Sequence, residues 1–129
     1  MLRALLDTHS FLWFVTADTK LSATAKDLIS QGENEILLSV ASVWEIAIKV
    51  NTGRLPIPEP LQTFIPEQLG RNRIGLLPIA LAHVMEAARL PLHHRDPFDR
   101  LLICQAIVEG LPILSADSAF DDYPVQRIW

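Results

Sequence analysis

The sequence predicts an α/β fold, with a small, mostly parallel central sheet flanked by helices. Three observations predict it. Short apolar runs alternate with segments of helical periodicity along the chain. Two of those runs, Ala4-Leu5-Leu6 and Pro112-Ile113-Leu114, stop at small polar residues and an acid. No linker rich in Gly or Ser, internal repeat or low-complexity tract divides the 129 residues, so residues 1–129 are expected to form one domain.

Leu2 to Leu6 forms the first strand. Phe11 to Val15 follows directly and is apolar all round, so it is expected to pack inside. Ser22 caps a helix over Ala23 to Gln31, ended by Gly32. Glu35 to Leu38 is a second strand. Ser39 opens a helix over Val40 to Asn51, where Val40, Val43, Trp44, Ala47 and Ile48 recur with a 3.6-residue period. Gly53 lies just past its end. Pro56, Pro58 and Pro60 make the next stretch a stiff connector. Leu61 to Asn72 reads as a helix open to a kink at Pro66, Ile74 to Leu77 as a strand, and Ala80 to Arg89 as a helix. A loop from Pro91 to Asp96 leads to Pro97, the start of a helix through Glu109 with Gly110 as its left-handed cap. Pro112 to Leu114 and Val125 to Ile128 are the last strands.

Half the residues are hydrophobic and a fifth are charged, the pattern of a folded chain. The formal charge of −4, from 11 basic and 15 acidic residues, argues against a protein that coats DNA through a basic excess. It does not exclude nucleic acid, because bound cations neutralise the acids around them. The single cysteine, Cys104, has no partner in the chain, which fits a reducing compartment. Asp7 interrupts the only apolar N-terminal stretch, and no run approaches the ~18 apolar residues of a membrane span. A soluble cytoplasmic protein with no membrane partner is the expectation.

Four acids stand out, and each also has an ordinary structural explanation. Asp7 ends the first strand, where ligands collect in parallel sheets, yet a solvated loop acid looks the same. Glu45 rises from a mostly apolar helix, and Lys49 at i+4 offers it an ordinary ion pair. Asp99 lies in a first helical turn, where the helix dipole favours it. Asp117 follows a strand and can cap the short turn after it. A fifth acid, Asp96, suits the N-cap ahead of Pro97.

The set is harder to explain away than its members. Two acids end strands and two ride on helices, a distribution that can converge on one crevice. Hard cations such as Mg²⁺ or Mn²⁺ take oxygen ligands of this kind. Zinc is disfavoured, since no Cys/His ligand spacing is present. His93 and His94 read as surface or substrate-side residues, His9 as a packing or hydrogen-bonding residue, and His83 as structural. Neither a glycine-rich phosphate loop nor a nucleophile elbow is present. Trp13, Trp44 and the phenylalanines are expected in the core rather than as stacking platforms.

With Asp7-Thr8, Ser42-Val43-Trp44-Glu45-Ile46, Asp96-Pro97-Phe98-Asp99-Arg100-Leu101-Leu102-Ile103 and Ser115-Ala116-Asp117 in this order, the chain resembles the PIN-domain family. Within it the chain is similar to the VapC-type toxins of bacterial type II toxin–antitoxin pairs. The resemblance covers essentially the whole chain. It implies a PIN-like α/β fold, an acidic metal site and Mg²⁺- or Mn²⁺-dependent endoribonuclease activity. It also implies homodimers and a cognate antitoxin that occludes the site. Position by position, Asp7, Glu45, Asp99 and Asp117 match the four family acids, expected to be both catalytic and metal-binding. Thr8 and Ser115 match small hydroxyl positions that support the site, and Asp96 matches an extra acid of part of the family. Cys104 departs mildly from the small apolar residue usual there.

The expected reaction is hydrolysis of an RNA phosphodiester bond, leaving 5′-phosphate and 3′-hydroxyl ends. Lys49, Arg54, Arg95 and Arg100 are candidates for steering the RNA backbone. The alternative is a non-catalytic PIN-like scaffold that binds RNA or a partner. A phosphoacceptor signalling domain fits less well: it needs a mid-chain Asp and a late Lys, whereas no Asp lies between Asp27 and Asp96 and the last Lys is Lys49.

Overall fold

A computed structural model describes residues 1–129. Five strands form one parallel sheet: β1 (Arg3–Leu6), β2 (Glu35–Ser39), β3 (Ile74–Leu77), β4 (Ile113–Leu114) and β5 (Arg127–Ile128), ordered β3-β2-β1-β4-β5. The helices are α1 (Thr8–Val15), α2 (Ala23–Ser30), α3 (Val40–Asn51), α4 (Leu61–Asn72), α5 (Leu81–Glu86) and α6 (Pro97–Glu109), with a short 3₁₀ turn at Ser118–Asp122.

Strand β1 is central, paired with β2 in the register Leu5–Leu37 and with β4 in the register Leu5–Ile113. Successive side chains of a strand point to opposite faces, and the apolar residues divide accordingly. Leu5, Leu37 and Ile113 pack on one face with Leu102, Ile103 and Ala106 of α6 and with Phe120. Ala4, Leu6, Ile36, Leu38 and Leu114 pack on the other with Phe11, Ile29, Ile46 and Phe64 from α1 to α4. Both faces are covered, which explains why β1 and β2 read as continuous apolar runs. Fully burying one such leucine contributes about 1.5–3 kcal/mol.

Several local signals hold. The Ser22 hydroxyl accepts from Ala25 N–H and that of Ser39 from Ala41 N–H, capping α2 and α3. Asp96 accepts from the backbone N–H of Phe98 and Asp99 ahead of Pro97. Gly53 and Gly110 sit at φ of 73° and 68° beyond α3 and α6. An alanine at position 110 would occupy the left-handed region that a Cβ disfavours. Gly110→Ala is therefore expected to cost about 1 kcal/mol, read as a lower denaturation midpoint.

Other expectations are corrected. Helix α2 stops at Ser30, and Gln31, at φ −73° and ψ 114°, ends it without a left-handed glycine. Asn34 supplies the reason: its side-chain amide donates to the Leu28 carbonyl and its carbonyl accepts from Leu2 N–H. Helix α4, by contrast, keeps its expected bounds Leu61–Asn72, with Pro66 inside it. Helix α5 ends at Glu86, and Ala87 to Arg89 continue as turns. The last strand is only Arg127–Ile128.

The largest correction concerns aromatic and apolar side chains. Of the Phe11–Val15 run, Phe11 is buried and Leu12, Phe14 and Val15 pack partly buried against the same cluster as expected, whereas Trp13 is half-buried outside it. On α3 the buried face is Ala41, Ser42, Glu45 and Ile46. The periodic apolar stripe of Val40, Trp44 and Ile48 faces outward, with Trp44 58% exposed. Periodicity identified the helix but not the side that the sheet covers.

Candidate metal centre

Strand β1 ends at Asp7, whose backbone turns directly into α1. The Asp7 carboxylate is buried, with Oδ1 accepting from Ser10 N–H at 2.8 Å and Oδ2 from the Ser115 hydroxyl at 2.6 Å. Ser115 follows β4, the neighbour of β1, so the parallel pairing alone brings it beside Asp7. Its Oγ also accepts from Asp117 N–H at 3.0 Å, so one hydroxyl ties the two strand-end acids together. Asp117 and Asp7 line one hollow of about 310 Å³ with His9, Trp13 and Ala116.

Glu45 arrives from α3. The Thr8 hydroxyl donates to Oε1 at 2.7 Å, and the Lys49 ammonium holds Oε2 at 2.9 Å. Thr8 Oγ1 also lies 2.9 Å from Ser42 Oγ. Both Thr8 and Ser42 are buried, so these hydroxyls are committed to orienting the acid rather than to solvent. Thr8 and Ser115 thus each hold one carboxylate. Asp96 is turned into the cap of α6, the structural explanation that its position before Pro97 offered.

Asp99 is the most perturbed acid. Its carboxyl is pushed up to about 7, first by burial and next by the negative charge of Asp96, with Asp7 and Glu45 adding further repulsion. His94 acts in the opposite direction. The acids of β1, α3 and α6 therefore feel one another's charge across a common crevice.

Sequence reading missed the group between two of the acids. His94 Nε2 lies 3.2 Å from Asp99 Oδ2 and 3.2 Å from Asp117 Oδ2, and its side chain is only 15% exposed. Its Nδ1 accepts from Asp96 N–H at 3.2 Å. A backbone amide only donates, so the proton of the neutral ring resides on Nε2, which donates to the two carboxylates. Of the two readings its loop position allowed, surface or substrate-side, His94 thus fits the second. Nothing near it in the chain signals this, because Asp117 comes from 23 residues away.

The loop carrying His94 is itself clamped. The Tyr123 hydroxyl accepts from the backbone N–H of His93 and His94 and donates to the Pro91 carbonyl. Arg100 donates to the carbonyls of Leu90, Pro91 and His94. Arg100 is therefore occupied in holding the loop, which removes it from the residues available to RNA. Lys49 is paired with Glu45, whereas Arg54 and Arg95 line a second depression beside Glu45 and Asp96. His83 is buried, with its Nδ1 accepting from Ala80 N–H and its Nε2 against Glu109, as a structural histidine.

The family model for the PIN domain matches residues 4–126. The chain belongs to the PIN-domain family. Among curated proteins of Mycobacterium tuberculosis, Ribonuclease VapC16 is 40% identical over 62 residues. That match covers 48% of this chain and 43% of VapC16, so the chain spans less than half of that relative's length. Ribonuclease VapC22 is 27% identical over 119 residues, 91% of this chain and 88% of that one. Two crystal structures share the PIN-like α/β fold. VapBC2 from Rickettsia felis, bound to a DNA fragment from their promoter, superposes with a TM-score of 0.72 at 14% identity, covering 98% of each chain. FitAcB from Neisseria gonorrhoeae gives 0.64 at 17% identity, covering 98% of this chain and 96% of that one.

Proposed function

We propose that this PIN-domain chain is a divalent-cation-dependent endoribonuclease and the toxin of a type II toxin–antitoxin pair. The observation that carries the reading is the linkage of Asp99 to Asp117 through His94 and of Asp7 to Asp117 through Ser115, with Asp7 and Glu45 near enough to act on the charge of Asp99. Family membership and the similarity to VapC ribonucleases support it.

The donor set fits a hard cation. It offers carboxylate oxygens from four acids against the single ammonium of Lys49. Asp7, Glu45, Asp99 and Asp117 are the residues that would hold Mg²⁺ or Mn²⁺. When bound, the cation supplies acidity to a water and shields the attacked phosphate. The protein's own groups do the rest. Ser115 and Thr8 fix the rotamers of Asp7 and Glu45, and His94 orients Asp99 and Asp117. Arg54 and Arg95 are free to meet the RNA backbone on the Glu45 side.

Separate observations support the remaining features of the reading. A single sheet that takes strands from both ends of the chain supports treating residues 1–129 as one domain. The outward stripe of Val40, Trp44 and Ile48, with Phe98 edge-on to Trp44 at 5.0 Å, supports a homodimer. The VapBC2 complex supports a cognate antitoxin as partner. No helix is long and apolar enough to cross a membrane, and an RNA substrate makes the cytoplasm the place of work.

The test is cleavage of labelled RNA with EDTA, Mg²⁺ or Mn²⁺, beside Glu45→Gln. Cleavage is expected only with a cation and is expected to fall at least about tenfold in the variant. Cleavage indifferent to both would overturn the reading. Binding of RNA without cleavage under any cation would favour a scaffold instead.

A further inference from the structure

Asp7 caps helix α1, and residues four apart on a helix share a face. His9 and Trp13 stand one turn apart there, their ring centroids 5.7 Å apart and the planes tilted by 40°. Trp129, just beyond β5, meets Trp13 edge-on at 5.9 Å, with the planes at 60°, so it braces the indole without stacking on it. His9 is exposed and Trp13 half-buried, so neither ring is consumed by the core. The two rings also bound the hollow that Asp7 and Asp117 line. On their far side the same rings line a groove of about 390 Å³ that carries Lys49 and Arg54.

We propose that Trp13, flanked by His9 and braced by Trp129, is a stacking platform for one unpaired nucleobase next to the phosphate held at the acids. The inference rests on the ribonuclease reading and adds the part of the substrate that the acids do not touch. A phosphate at Asp7 and Asp117 leaves its own nucleoside within reach of the indole face. Every base has a π-face, so such a platform accepts any base but requires it unstacked. Duplex RNA keeps its bases stacked and paired, so the platform selects loops and single strands. Arg54 lies where the next phosphate of a strand crossing the rings would run, with Lys49 beside it paired to Glu45. The alternative occupant, an apolar side chain of a protein partner, has no need of the cations beyond the rings.

The test measures binding separately from cleavage. Short fluorescein-labelled single-stranded RNAs, intact or with one abasic nucleotide at successive positions, are titrated with the protein in Ca²⁺ buffer by anisotropy. Wild-type protein is expected to lose about tenfold in affinity when one particular base is missing. Trp13→Ala is expected to bind the intact strand about tenfold more weakly and to show no penalty at that position. Trp13→Phe, which keeps a ring, is expected to recover most of the affinity and the abasic penalty. A variant that merely perturbs folding would retain the position-specific penalty. Equal affinity of wild type and Trp13→Ala for the intact strand, or the same abasic penalty in both, overturns the platform. Equal RNA affinity together with lost binding of the co-expressed antitoxin assigns the rings to that partner, and overturns it too. The ribonuclease reading stands or falls on the cation-dependent cleavage of RNA and its loss in Glu45→Gln, so the two failures are distinguishable.

Discussion

Asp99→Asn is expected to raise the melting temperature of the metal-free protein at about pH 8 while abolishing cleavage. The Asp99 carboxyl titrates at about 7 in the folded protein against 3.8 for an unperturbed aspartate. Between those values the folded state keeps a proton that the unfolded chain has released. Stability of the metal-free protein therefore falls as pH rises from about 4 to about 7, and it levels off above. Each pKa unit corresponds to about 1.4 kcal/mol, so the strain is on the order of 4 kcal/mol before screening, and with the side chain 21% exposed solvent reduces it. Asparagine removes the charge and with it the strain.

A divalent cation is expected to do the same for the wild type by neutralising the cluster. Mn²⁺ should therefore raise the melting temperature more at about pH 8 than at about pH 5.5. Cleavage, by contrast, is expected to drop at least about 100-fold in Asp99→Asn, since even a residue that only supports a metal ligand is worth 10–100-fold. Thermal denaturation in EDTA at the two pH values and an RNA cleavage assay check both halves. A melting temperature that is flat with pH, or an asparagine variant no more stable than wild type, would dissolve the argument that the acids crowd one another.

Asp7 carries two duties that substitution can separate. Asn at this position keeps an oxygen for Ser10 N–H and therefore keeps the cap of α1. It removes the negative charge at the end of the central strand. Its amide nitrogen takes the place of Oδ2 and donates to Ser115 Oγ instead of accepting from it, so Asp7→Asn is expected to cut cleavage at least about 100-fold while losing less stability than Asp7→Ala. Asp7→Ala is expected to lose cleavage equally and also about 0.5–2 kcal/mol of stability, because the cap goes and the buried Ser115 hydroxyl loses its acceptor. Urea denaturation beside the cleavage assay separates the two. Wild-type cleavage by Asp7→Asn would remove Asp7 from the site.

Much of this molecule is legible along the chain because its signals are local. Leu5-Leu6 and Leu37-Leu38 are buried on both faces of a parallel sheet, so each strand reads as an unbroken apolar run. Ser22, Ser39 and Asp96 cap the helices they precede, and Gly53 and Gly110 take the left-handed turns that end theirs. The four acids were visible because two end strands and two interrupt helices, and Asp7-Thr8 and Ser115-Ala116-Asp117 sit at paired strand ends. The mixed roles of Asp96 and Arg100 were only partly visible, since a cap uses the same carboxylate that binds a cation and a clamp the same guanidinium that binds phosphate.

What the sequence by itself determined is the set of elements, their α/β class and the acids that terminate or ride on them, because periodicity and capping depend on neighbours a few residues away. What only the tertiary structure decided is which face each element presents and which distant groups meet. Helix α3 turns Glu45 and Ile46 inward and Trp44 outward, since its orientation is set by packing on the sheet and not by its own apolar period. His94 comes between Asp99 and Asp117 only because Tyr123 and Arg100 fold its loop over the end of the sheet. Trp13, expected in the core, instead borders the acids, because the helix that Asp7 caps starts at the crevice itself.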